Sequence, residues 1–89
     1  MAYCRQSGTS YYSEVEVWKE SRGLILRKFM NRGDGTRSLQ VMADVVQTVQ
    51  GNVTSYNDNY GDASLRIDGL TRAGLFNGNS SSERLDCEL

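Results

Sequence analysis

Arg22, Arg27, Lys28, Arg32 and Arg37 crowd into sixteen residues that hold a single acid, Asp34, and Tyr12, Trp18 and Phe29 lie close to them. Cations interleaved with aromatic rings suit two chemistries. They can neutralise a phosphate backbone while bases stack on the rings. They can equally anchor an acidic protein surface, where Trp, Tyr and Arg supply most of the binding energy. The bland alternative is a solvated strand face, its arginines paired with Glu14, Glu16 and Glu20. Residues 1–37 carry seven basic and four acidic side chains, and residues 38–89 carry three and seven, so the chain is a charge dipole. A pI near 5.3 argues against a dedicated nucleic-acid binder. The favoured partner is therefore another protein or a second copy of this chain.

Other chemistries fall short. The chain has no histidine, which removes the commonest general base and the commonest metal ligand. Its Ser, Thr and Cys nucleophiles have nothing obvious to activate them. Glu14 and Glu16 sit two apart on one strand face and read as cross-strand ion partners of Arg27 and Lys28 rather than as a catalytic pair. The acidic segment around Asp58, Asp62 and Asp68 fails the EF-hand spacing, because Gly61 would require an acid or amide where Tyr56 stands. No catalytic residue, metal or cofactor is expected. Arg32-Gly33-Asp34 spells an adhesive tripeptide, and Asn52-Val-Thr and Asn79-Ser-Ser match the glycosylation sequon. Three-residue matches carry little weight without a secretory context, and Gly33 and Gly35 read as turn residues.

These side chains need a scaffold, and periodicity describes one. Residues 11–18 and 24–30 alternate at period two and predict a hairpin around Gly23. Pairing Val17 with Leu24 and Val15 with Leu26 makes one apolar face, and sets Glu14 against Arg27 and Tyr12 against Phe29 on the other. Leu39, Met42, Val45, Val46, Val49 and Val53 fall at spacings that describe one helical face, which predicts a helix from about residue 38 that ends or frays near Gly51. Residues 63–68 form a third strand with Leu65 and Ile67 inward, and residues 69–76 a short fourth strand or coil. The expected fold is α+β: an antiparallel sheet of three or four strands with one helix across one face. Its core would be Val15, Val17, Leu24, Leu26, Leu39, Met42, Val45, Val46, Val49, Leu65 and Ile67.

With 89 residues the chain makes one small domain, placed at residues 10–76 between an N-terminal arm (1–9) and a polar tail (77–89). Cys4 and Cys87 lie in those ends and read as reduced thiols; if joined they would contribute about 4 kcal/mol by closing nearly the whole chain. The first ten residues lack an apolar run, so a cytoplasmic location is expected. One helix covers only one side of a sheet, which leaves Tyr12, Trp18, Ile25 and Phe29 uncovered. The expected function is a small non-catalytic protein-binding module, an adaptor or inhibitor acting through Tyr12, Trp18, Arg27, Phe29 and Arg32. In outline such chains resemble accessory proteins of phages and other mobile elements. The alternatives are single-stranded nucleic-acid binding along the basic hairpin and a self-assembling structural protein.

Overall fold

The computed structural model describes residues 2–8, 10–78 and 81–88. Eight antiparallel strands follow one another in chain order: β1 (Ala2–Arg5), β2 (Tyr12–Glu20), β3 (Gly23–Asn31), β4 (Arg37–Gln50), β5 (Val53–Asp58), β6 (Ser64–Asp68), β7 (Ala73–Asn77) and β8 (Ser82–Glu88). Each pairs with the next, and β1 pairs with β8 to close a barrel. The expected α+β sheet of three or four strands with one helix is thus corrected to an all-β barrel without a helix among the described residues. The segments read as an arm and a tail supply β1 and β8.

Residues 37–50 are a strand because their composition outweighs their spacing. Four valines in residues 38–49 lose rotamer freedom in a helix and pack well on a pleated surface. Gly51 then takes a positive φ of 58° in the two-residue turn to Val53, a conformation that turns β4 back into β5. Read at period two, β4 points Val41, Ala43 and Val45 inward, where Val45 is buried and the other two pack against the core. Leu39, Met42, Val46 and Val49, assigned to the core by the helical reading, are exposed. Gln40 is the extra residue of a bulge, since Lys28 pairs with Val41 while Phe29 pairs with Leu39.

The β2–β3 hairpin exists, but its register differs by two residues from the expected one. Val15 faces Lys28, Val17 faces Leu26, Trp18 faces Ile25, and the turn is Ser21 and Arg22. A shift of two keeps every side chain on its expected face. Parity turns Lys28 to the inward face with Leu24 and Leu26 in either register, and the observed one sets it opposite Val15. Distant strands make that placement tolerable. Lys28 Nζ lies 3.0 Å from Glu83 Oε2 of β8, donates to Gln40 Oε1 at 2.9 Å, and sits 5.6 Å from the Phe76 ring centre. The Ser13 hydroxyl donates to the other Glu83 oxygen at 2.9 Å. A nearly buried ammonium is stable only with such partners.

Val15, Val17, Leu26, Leu65, Ile67 and Phe76 fill the rest of the interior, each no more than 1% exposed, in keeping with an eight-stranded barrel just wide enough for its own side chains. The seam between the chain's two ends is covalent: Cys4 and Cys87 form a disulfide across β1 and β8. Gly74 accommodates it from β7, since a Cβ there would lie 2.5 Å from the Cys87 sulfur. The reduced-thiol reading is corrected accordingly.

Candidate functional site

The outer wall of β2, β3 and β4 gathers four of the five side chains expected to bind a partner. Outward residues alternate along each strand, and the ladder aligns them in rows: Tyr12, Asn31 and Arg37; Glu14, Phe29 and Leu39; Glu16, Arg27 and Met42; Trp18, Ile25 and Asp44. Trp18, Leu39 and Met42 are each about half-exposed, at 49%, 52% and 53%. Tyr12, Arg27 and Phe29 are half-buried. Ile25 is fully buried despite facing outward. Arg32 stands apart in the β3–β4 turn, where Arg32 N–H donates to the Thr36 carbonyl. In that turn Asp34 accepts from the Thr36 backbone and hydroxyl at 3.0 and 2.7 Å, bonds that hold its carboxyl below the ordinary range. The Arg-Gly-Asp run is thus built into a tight turn.

Charges ring the apolar side chains and are mostly paired. Arg27 contacts Glu20 at 2.5 Å, Arg22 contacts Asp44 at 3.2 Å, and Arg37 contacts Glu14 at 3.2 Å while lying 3.6 Å over the Phe29 ring. Tyr3 and Asn31 also donate to the Glu14 carboxylate. Burial alone would raise the Glu14 carboxyl, but those hydrogen bonds and the Arg37 charge outweigh it and hold the group below its ordinary value. Burial and the bond to Glu14 push the Tyr3 phenol up to about 12. Of the five cations that make the hairpin look basic in sequence, Arg22, Arg27 and Arg37 are neutralised on the surface and Lys28 is turned inward. That leaves little free positive charge along the ribbon.

The opposite wall carries a concavity of about 780 Å³ lined by Val53, Arg66, Asp68, Leu75, Arg84 and Asp86. Its acids serve the backbone and a neighbouring loop: Asp68 accepts from the Leu70 and Thr71 amides, and Asp86 from the Ser7 hydroxyl. Arg66 and Arg84 flank Leu75 in one row.

Searches against protein-family models, curated proteins and solved structures find no match to this chain. Leu39, Met42 and Val46 are the outer-wall residues that sequence reasoning placed wrongly, because a helical period buries them. The signal available was the β-branched run itself: counted at period two, Met42 and Val46 fall on the face opposite Val41 and Val45.

Proposed function

We propose that this protein is a non-catalytic binding module that docks another protein on the outer wall of β2–β4. The observation that carries the reading is an apolar group of Trp18, Leu39 and Met42, about half-exposed and ringed by ion-paired charge. Protein interfaces have this anatomy, with aromatic and Met side chains at the centre and a polar rim. The interior is packed with side chains, so the barrel acts with its outside. Neutralisation of Arg22, Arg27 and Arg37 weighs against single-stranded nucleic acid as the partner. The Cys4–Cys87 bridge supports an oxidising compartment over the expected cytoplasm.

The test is site-specific photo-crosslinking in extract of the native host, with the crosslinker at Met42 and, on the opposite wall, at Leu75. Adducts to one protein from position 42 but not from position 75 are expected. Equal labelling at both positions, or none at 42, would overturn the choice of wall. A generic oligonucleotide bound at low salt and released steeply between about 50 and 200 mM would instead favour the nucleic-acid alternative.

A further inference from the structure

Closing a sheet into a barrel removes its edges, yet β4 keeps an open stretch of edge here. β4 has 14 residues and β3 has nine. The β3–β4 ladder ends where Leu24 meets Val45, whereas β5 continues beside β4 as far as Val53 opposite Gln50. Residues 46–50 (Val46-Gln47-Thr48-Val49-Gln50) therefore have a strand neighbour on one side only. The overhang is held in place. Gly69 N–H donates to the Asn52 carbonyl at 2.7 Å and ties the β4–β5 turn to the β6–β7 loop. Val46 and Val49 are 54% and 59% exposed.

Proteins usually blunt an open edge with a charge, a proline or a bulge. Residues 45–53 contain no charged residue and no proline, and the β4 bulge lies at the other end, at Gln40. The half-paired stretch of β8, residues 82–85, carries both Glu83 and Arg84. The β4 edge is thus unprotected where a comparable stretch is guarded.

We infer that residues 46–50 pair antiparallel with the same residues of a second copy, joining two barrels about a two-fold axis at Thr48. That register sets Thr48 against Thr48, Gln47 against Val49 and Val46 against Gln50 of the second copy. The contact stops there, since Val45 and Asp44 already pair with β3, and no charged residue lies within it. The Thr–Thr pair is favourable. Opposed residues share a face in this register, so both exposed valines gain cross-strand cover. The same open donors and acceptors on each copy supply the hydrogen bonds, and the neutral edge carries no charge that would select a different strand. This pairing uses a surface separate from the β2–β4 wall and stands without it.

Sedimentation velocity from about 10 µM to about 1 mM tests the pairing. The native chain should rise toward twice its 10.0 kDa mass. Thr48→Lys and Thr48→Glu should each remain monomeric with unchanged thermal melts, and an equimolar mixture of the two should restore the dimer, because residue 48 faces itself. Met42→Gln, on the outer wall, should dimerise as the native chain does. A native chain that stays monomeric, a Thr48→Lys chain that still dimerises, a mixture that does not recover, or growth into larger assemblies would each overturn the inference. Loss of the dimer in Met42→Gln alone would overturn it as well, by moving the contact to the outer wall.

Discussion

The β1–β8 seam and the β4 overhang show opposite treatments of a strand end. At the seam three residue pairs close the barrel, and a disulfide joins two strands 83 residues apart. At the overhang β4 runs past its neighbour and leaves backbone groups open to solvent. Closure of the barrel rests on this short ladder, which the crosslink reinforces. The overhang has no such duty, since β4 is already paired along β3 for most of its length. The crosslink sits at the closure, and the proposed associations use surfaces the closure does not need.

Removing the seam's crosslink should break this contrast most severely. Cys4→Ser with Cys87→Ser, or reduction of the native chain, should lower unfolding free energy by about 4 kcal/mol, read from the guanidinium midpoint. The polar interior beside β8 ranks next. Lys28→Ala strands the Glu83 carboxylate beside Ser13 and should cost about 3 kcal/mol, whereas Lys28→Met with Glu83→Leu should recover most of the loss. Gly74→Ala drives a methyl group against the Cys87 sulfur and should cost about 2 kcal/mol by overpacking.

Smaller effects sharpen the comparison. Tyr3, on β1, should make the seam region sensitive to alkali. Its raised pKa means the unfolded chain loses this proton first, so the contribution present below about pH 10 is lost as the pH rises toward about 12. Glu14 acts with the opposite sign: its lowered pKa contributes at neutral pH, and that contribution is lost as the pH falls below the ordinary carboxylate range. Tyr3→Phe should cost about 1 kcal/mol at neutral pH and flatten the alkaline limb of midpoints measured across pH. At the overhang and outer wall, Thr48→Lys and Met42→Gln should shift stability by less than about 0.5 kcal/mol.

Parts of this arrangement were legible residue by residue. The alternation of residues 11–18 and 24–30 marks a hairpin, and Leu65 and Ile67 face inward as their spacing says. Tyr12, Trp18, Ile25 and Phe29 share a wall because parity survives a register shift of two. The apolar spacing of residues 39–53 misleads, since three-and-four recurrence also arises when a strand is apolar on both faces and interrupted by a bulge. The register was illegible for a different reason: Lys28, inward by parity, is stable opposite Val15 only with partners such as Glu83, which lies 55 positions along the chain.

The sequence by itself determined where strands can form and which side chains share a face, because those follow from local propensity and a period of two. It also excluded histidine chemistry through composition. Only the tertiary structure decided that β1 and β8 meet, that Cys4 reaches Cys87, and that β4 outruns β3. These depend on how eight strands tilt and stagger around a closed circumference, which no local stretch of chain specifies.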